Sequence, residues 1–439
     1  MEWRLRDYIK KIKNLELLED INDPVSTIFE IPFFLKRYDG SKALLFNNVK
    51  GGDIKFKVVG NLFTNRRLLY LALDVKNDRE AFLLLNRCVN NPLKVIPNKL
   101  YGLKSIGNDL LKLPILKHYE RDAGHYMTSS IVIGRDLEKG YLNSSFHRML
   151  VIDENHLAIR LVPRHLYQMY NIAKSRDKDL EVAIVVGASP LFYIASATSP
   201  PYGVFELYVA NALAKGKMSA MLLEDSGLII PGDTEIFLRG RILKDKLVDE
   251  GPFVDITGTY DIVRKQPMVE IDDILIREDP IYYAILPAGK EHKMLMGFPR
   301  EAQIWNEVSK VVPEVKAVRL TSGGCGWLSA VVSIKKLTEG DGKNAIMAAF
   351  VGHTSLKIVT IVDEDINVDD PEDIEWAIAT RMQPDEDIII VSHVKGSSLD
   401  PSADQENLIT SKIGIDATRP LYKKKEDFEK ARIPYKLVE

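Results

Sequence analysis

The sequence predicts an α/β and β protein in three sections: an N-terminal α/β unit, a strand-rich middle that curls into a barrel or strongly curved sheet, and a C-terminal α/β unit. Three observations predict it. At 439 residues the chain exceeds one ordinary core, given roughly 150 residues per domain. Its middle is dominated by β-type runs with few long helices, which favours a barrel over a doubly wound parallel sheet. Its last part reads strand, helix, strand. The expected boundaries are 1–113, 114–299 and 300–439.

The first section opens with an amphipathic helix pattern, MEWRLRDYIKKIKNLELLED, with Leu5, Ile9, Ile12 and Leu15 on one side. Strands are expected at 42–46 and 56–62, and helices at 66–74 and 78–88. In the middle section, strands are expected at 129–133, 149–152, 157–161, 183–186, 235–243 and 281–286, with helices at 163–173 and 204–215. In the last, 358–362 reads as a buried strand. Asp370 and Pro371 read as N-cap and first turn of a helix over 372–382, and 387–392 as the next strand of a βαβ unit. The charged segment 423–432 is expected to be a solvated or partner-facing helix.

Composition narrows the function classes. The 59 basic and 62 acidic residues leave a net charge of −3, so no global positive field draws nucleic acid or an anionic membrane. The N-terminal pattern lacks the apolar core of a signal peptide. No apolar run approaches the roughly 18 to 20 residues that span a bilayer. A cytoplasmic protein acting on small molecules is expected. Cys88 and Cys325 stand far apart, which fits a reducing compartment and excludes a cysteine metal cage; Cys325 is expected to be a small buried side chain. Glutamine is scarce while Lys, Glu and Ile are plentiful, a bias of proteins from hot environments.

The residues with chemistry are few. Asn143, His165 and Glu206 offer an amide oxygen, an imidazole and a carboxylate, a mostly oxygen set suited to Mg²⁺ or Mn²⁺ rather than zinc. From spacing alone the plainer reading stands ahead: His165 packs or caps its helix, and Glu206 is a polar residue on an amphipathic helix. Arg148 closes the run NSSFHR, and Glu250 and Asp255 bracket the Gly251-Pro252 turn in EGPFVD. An arginine about 4 Å from one carboxylate attracts it by about 4 kcal/mol at an effective dielectric of roughly 20. The other carboxylate then stays protonatable, giving an acid and a base from similar side chains. The same trio also suits a buried ion network. Strand alternation puts Asn143 and Ser145 on one face and Arg148 on the other, so a bulge or turn is needed for all three to converge.

Other chemistries fail. No GxSxG elbow accompanies His147, and Gly323, Gly324 and Gly326 lack the Walker lysine and hydroxyl. His118, His125, His156, His292, His353 and His393 have no mutual metal spacing and read as structural or solvated.

Ten blocks in order carry a resemblance: GNLFTNRRLL, LPIL, DAGHYMTSSIVIGRD, NSSFHRM, EVAIVVGASP, EGPFVDITGTY, DPIYYAILP, GCGWLSAVVSIKK, DEDINVDDPEDIEWAIATR and SKIGIDAT. Together they cover nearly the whole chain and resemble the UbiD family of reversible, non-oxidative decarboxylases that use prenylated flavin mononucleotide. The resemblance implies an N-terminal α/β domain, a central split-barrel flavin domain and a C-terminal α/β domain that makes a homodimer contact. It implies that Asn143, His165 and Glu206 tie a divalent metal, usually Mn²⁺, to the cofactor phosphate, with K⁺ often bound nearby through backbone carbonyls. Ser145 looks like a flavin contact and Lys412 like a phosphate contact.

Arg148, Glu250 and Asp255 match the family's arginine-acid-acid triad. The resemblance makes Glu250 the proton donor, Arg148 the group that orients the substrate carboxylate, and Asp255 the residue that sets the arginine. Asp255 stands where some members have glutamate. A flavin prenyltransferase is the implied supplier of the cofactor.

Family members act on aromatic, heteroaromatic and α,β-unsaturated acids. Blocks such as GKNAIMAAFVGHTSLKIVTIVDEDINV look like archaeal members, which implies trans-anhydromevalonate 5-phosphate as substrate and isopentenyl phosphate and CO₂ as products. A phosphorylated substrate needs cationic donors, with Lys290, Lys293 and Arg300 as candidates. The alternatives are a hydroxybenzoate or polyprenyl-hydroxybenzoate decarboxylase and, from another class, a flavin-binding protein without catalysis.

Overall fold

The computed structural model describes residues 3–51 and 54–431. The chain divides into two compact units, Met1–Pro299 and Arg300–Glu439, and the division falls inside the helix Lys290–Val308.

The first unit opens with the helix Leu5–Asn14, which buries Leu5, Tyr8, Ile9 and Ile12. Leu15, expected on that stripe, is exposed, because the helix ends at Asn14 and the next residues turn toward the strand Leu18–Ile21. That strand begins a four-stranded mixed sheet, continued by Ala43–Phe46, Lys57–Gly60 and Ile281–Ala284. The last of these belongs by sequence to the middle section yet pairs in parallel with Lys57–Gly60. The capped helices Arg66–Leu73 and Asp78–Asn90 follow, with Asn65 and Asn77 accepting backbone N–H groups at their starts.

The middle of the unit is a nine-stranded antiparallel sheet. Its hydrogen-bonded path runs Tyr126–Met127, Met149–Val151, His156–Ile159, Arg264–Ile276, Ile236–Glu250, Leu180–Val186, Ile131–Arg135, Leu142–Phe146, with Lys104–Ser105 paired to Arg264–Ile276. The path is open, as in a split barrel. Two register shifts in the long pair Ile236–Glu250 and Arg264–Ile276 curl the sheet. At one of them stands Gly240, where a Cβ would lie 2.3 Å from the Glu270 carbonyl oxygen. Val132, Met149, Leu157, Ile184, Leu238 and Ile274 fill the curl. They share one core with Leu44 and Val58 of the smaller sheet.

The second unit is a five-stranded sheet ordered Glu314–Leu320, Ser329–Lys335, Ile358–Asp363, Ile409–Ala417, Ile388–Lys395. The helix Pro371–Arg381 is capped by Asp370 as expected, but the expected βαβ unit is not formed there. Ile388–Lys395 goes to the sheet edge and pairs antiparallel with Ile409–Ala417, which itself lies parallel to Ile358–Asp363. The true βαβ crossover is Ser329–Lys335, the helix Asp341–Gly352, and Ile358–Asp363. In place of a helix over 423–432 there is one short turn of 3₁₀ helix, Lys425–Phe428; position 432 lies outside the described residues. Cys325 is part-exposed rather than buried, with a left-handed backbone (φ 62°) in the turn between two strands. Among the described residues no helix is long and apolar enough to cross a membrane.

Candidate active site

Two clusters of polar side chains sit in the first unit on either side of one break in the curled sheet. The strand Leu142–Phe146 carries Asn143 and Ser145, and the next strand starts only at Met149. His147 and Arg148 occupy the break between the two strands.

On the Asn143 side, Glu206 is the first residue of the helix Glu206–Leu213 and is buried. Its Oε1 accepts from Asn143 Nδ2 at 2.7 Å, and its Oε2 from the Ser144 N–H at 2.6 Å. Burial pushes this carboxyl up to about 8, against the lowering effect of those donors. Among the described residues all its hydrogen-bond partners are neutral. A buried carboxylate without a cation is costly, and a bound cation removes that cost.

His165 is the first residue of the helix His165–Ser175, which packs on the same strand. Its ring meets the edge of Tyr202 at 5.2 Å. Burial, and then the Arg164 charge, lower its pKa, so the imidazole is neutral and able to ligate. The structure thus joins Asn143 to Glu206 directly and seats His165 on a neighbouring helix start. Carboxylate, amide oxygen and neutral imidazole are donor types that suit a hard divalent cation.

Ser145 Oγ lies 2.9 Å from His147 Nε2 and 3.2 Å from Asn143 Oδ1. His147 Nδ1 lies 2.9 Å from the Arg160 carbonyl, an acceptor, so Nδ1 carries the proton and Nε2 accepts from Ser145. Burial lowers this histidine to about 4. The pairing was not expected from sequence, which gave His147 no role.

On the Arg148 side, the guanidinium is nearly covered and faces carboxylates on three edges. Nε and Nη2 donate to Glu250 Oε1 and Oε2, both at 2.9 Å, and Nη1 donates to Asp255 Oδ2 at 2.5 Å. Nη2 also donates to Asp261 Oδ2 at 2.9 Å. The structure therefore pairs Arg148 with both expected carboxylates and adds a third that no motif marked. Glu250 is fully buried at the end of Ile236–Glu250. Burial works to lower the arginine's pKa, but Glu250, Asp255 and Asp261 outweigh it and raise it. The Phe253 ring lies 4.7 Å from the guanidinium carbon, and Tyr126 packs on Phe253 at 4.4 Å.

Two further residues were missed by sequence reasoning. The Tyr126 hydroxyl accepts the Gly251 N–H at 3.1 Å, and its pKa is raised by burial and then by Glu250. His292, read as structural or solvated, feels the charges of Asp255, Arg148 and Lys293, although burial is the main cause that lowers its pKa. Its Nδ1 accepts from the Ala288 N–H at 3.1 Å. It lies 37 positions beyond Asp255 on another element, so no local spacing signals it.

Lys412 belongs to the second unit. There its Nζ donates to the Thr354 carbonyl at 2.5 Å and stands 5.3 Å from the Phe350 ring centre, and burial lowers its pKa.

Comparison with known proteins places these features in a family. Models of the 3-octaprenyl-4-hydroxybenzoate carboxy-lyase N-terminal, Rift-related and C-terminal domains match residues 9–88, 101–290 and 293–417. The chain is 46% identical over 442 residues to the anhydromevalonate phosphate decarboxylase of Methanocaldococcus jannaschii, covering 98% of this chain and 100% of that one. It is 44% identical over 418 residues to the protein of the same name from Methanothermobacter thermautotrophicus, covering 95% and 97%. Among solved structures, the UbiD-class enzyme HmfF from Pelotomaculum thermopropionicum, in complex with FMN, superposes with a TM-score of 0.94 at 37% identity, covering 98% of this chain and 97% of that one. An evolved dimeric form of HmfF, in complex with prFMN, gives 0.90 at 35%, covering 99% and 97%. With three domain models matched in order and full-length relatives well above 40% identity, this chain belongs to the UbiD family.

Proposed function

We propose that this protein is a prenylated-FMN-dependent carboxy-lyase that converts trans-anhydromevalonate 5-phosphate to isopentenyl phosphate and CO₂. The observation that carries the reaction class is the grip of Glu250 and Asp255 on Arg148 in a nearly covered site. The substrate rests on the full-length relatives named for that activity.

In this reading Arg148 orients the substrate carboxylate through its positive charge and the one Nη1 N–H not directed at Glu250, Asp255 or Asp261. Decarboxylation then needs one proton at the carbon that loses CO₂ and no net oxidation. Glu250 supplies it. The acid is buried beside Tyr126 and Arg148, where water does not compete as donor. Asp255 holds Nη1 and so fixes the fork. The chemistry supplied by the prenylated flavin, when bound, is that of an electron sink for the pair left as CO₂ departs.

Asn143, His165 and Glu206 would hold a divalent cation, Mn²⁺ or Mg²⁺, whose charge would offset that of the cofactor's phosphate. Ser145 would contact the flavin and Lys412 a phosphate oxygen. The same reading keeps three domains, 1–113, 114–299 and 300–439, the last making a homodimer in the cytoplasm, with a flavin prenyltransferase as cofactor supplier.

The test is anaerobic turnover of trans-anhydromevalonate 5-phosphate by protein produced with a flavin prenyltransferase, in Mn²⁺ and K⁺. Equal amounts of CO₂ and isopentenyl phosphate are expected. No turnover by protein shown to carry the prenylated flavin rejects this substrate and turns the search to aromatic acids. A Glu250→Gln variant with full turnover rejects the proton donor.

A further inference from the structure

Asp261 stands in the candidate site without an assigned task. It closes the two-stranded hairpin of Phe253–Val254 and Tyr260–Asp261, in register with Phe253. That one hairpin meets Arg148 three times, through the Phe253 ring beneath the guanidinium, Asp255 at Nη1 and Asp261 at Nη2. Asp261 is itself tied down. Its Oδ1 accepts from the Ile262 N–H at 2.9 Å and from Arg264, and Arg160 Nε stands 4.0 Å from its Oδ2.

Arg148, Arg160 and Arg264 face Glu250, Asp255 and Asp261, so the cluster is balanced only when all three acids are ionised. A guanidinium has five N–H groups, and four of those on Arg148 already point at carboxylates. Once Glu250 carries a proton, its two bonds to Arg148 lose their ionic character, and the Nη2 side of the fork would be released. Asp261 still holds that nitrogen.

We propose that Asp261 is a positioning residue for the decarboxylation: it keeps the Nη2 edge of Arg148 in place while Glu250 takes up and gives away a proton. This rests on the reading of Glu250 as proton donor. The groups that bear on Glu250 are Tyr126 from its strand, Arg148 from the break, Arg160 beyond the strand His156–Ile159, and Arg264 paired with it in register, while Asp255 and Asp261 from the hairpin share Arg148 with it and His292 feels Arg148 and Asp255 in turn. Removing the Asp261 charge leaves Arg160 and Arg264 without their shared counter-ion. The field at Glu250 becomes more positive, which favours its ionised form.

The experiment follows kcat and KM against pH for trans-anhydromevalonate 5-phosphate in flavin-loaded wild type, Asp261→Asn and Asp261→Glu, normalised to bound flavin. Asp261→Asn is expected to move the alkaline limb of kcat down by about one pH unit, a loss of about tenfold on that limb. Asp261→Glu is expected to restore most of it. A limb that stays with the wild type after normalisation, or a glutamate variant no better than the asparagine one, overturns the proposal. A Glu250→Gln control separates the two readings: if it keeps turnover, the proton donor is another group and the failure lies with Glu250, not with Asp261.

Discussion

Asn143 turns its amide nitrogen toward Glu206 and its oxygen toward Ser145, bonding the carboxylate at 2.7 Å in a buried site whose other donors are neutral too. A divalent cation would supply the positive charge that this pair's neutral partners do not. Glu206→Gln keeps the shape and an acceptor for the Ser144 N–H while removing the charge. Wild-type protein is expected to melt higher with Mn²⁺, gaining about 2.7 kcal/mol at a hundredfold excess over Kd. The variant is expected to fold and to show no Mn²⁺ shift, because glutamine matches the shape of the protonated carboxyl that a pKa of about 8 favours in the metal-free protein. Melting curves with and without Mn²⁺ decide it, and an equal shift in both proteins would remove Glu206 from the ligand set.

The sequence carried the local part of this architecture and lost the non-local part. The helix Pro371–Arg381 was readable because Asp370 caps it within two residues. The partner of Ile388–Lys395 was not, since pairing with Ile409–Ala417 is decided by which edge the chain reaches. Leu15 fits the helical period, yet nothing in the period says that the helix stops at Asn14. At the site, Arg148, Glu250 and Asp255 were visible through motif resemblance, and alternation showed only that Arg148 could share a site with Asn143 and Ser145 if the strand were interrupted, without saying where. Asp261 and His292 carry no motif. They reach the cluster through a hairpin and a distant helix start, which only the fold brings near.

Asp233 gives the chain a pH-dependent weakness. Its carboxyl accepts the Leu5 N–H at the start of the first helix, and burial, with Glu235 adding to it, pushes it up to about 7. The unfolded value is about 3.9, so the folded form holds the extra proton. The contribution is therefore present below about 4 and lost as pH rises through 7. Asp233→Asn cannot ionise. Compared with wild type, its melting temperature is expected to improve from pH 5 to pH 8, whatever the offset at pH 5. A constant offset across that range would contradict the linkage.

Gly187 and Gly216 separate backbone strain from collision. Both have left-handed φ, 73° and 79°, but a Cβ at Gly187 would lie 2.7 Å from the Ile281 carbonyl oxygen, whereas at Gly216 it meets nothing within 4 Å. Alanine at either position pays the conformational cost, about 1 kcal/mol. Only Gly187→Ala also forces apart the strands Leu180–Val186 and Ile281–Ala284, so it is expected to lower the melting temperature well beyond Gly216→Ala. Equal losses would mean that the loop relaxes without resistance.

The substrate phosphate needs a cationic partner. Of the three cations expected to receive it, Lys290 gives its backbone N–H to Asp39 and lays its side chain against Gly40. Arg300, in the second unit, bonds Gln303 and lies 6.0 Å from the Trp327 ring centre. Lys293 is the candidate that remains; it adjoins His292, which feels the charges of Asp255 and Arg148. A phosphate contact remote from the reacting carbon binds ground state and transition state alike, so its loss raises KM and leaves kcat in place. Lys293→Gln is expected to raise KM for trans-anhydromevalonate 5-phosphate by about tenfold, the equivalent of about 1.4 kcal/mol. The same change is expected to leave turnover of the dephosphorylated acid as it was, and Lys290→Gln to change neither. Steady-state kinetics on both acids decide the matter: a fall in kcat for both would make Lys293 part of the proton network, and an unchanged KM would move the phosphate elsewhere.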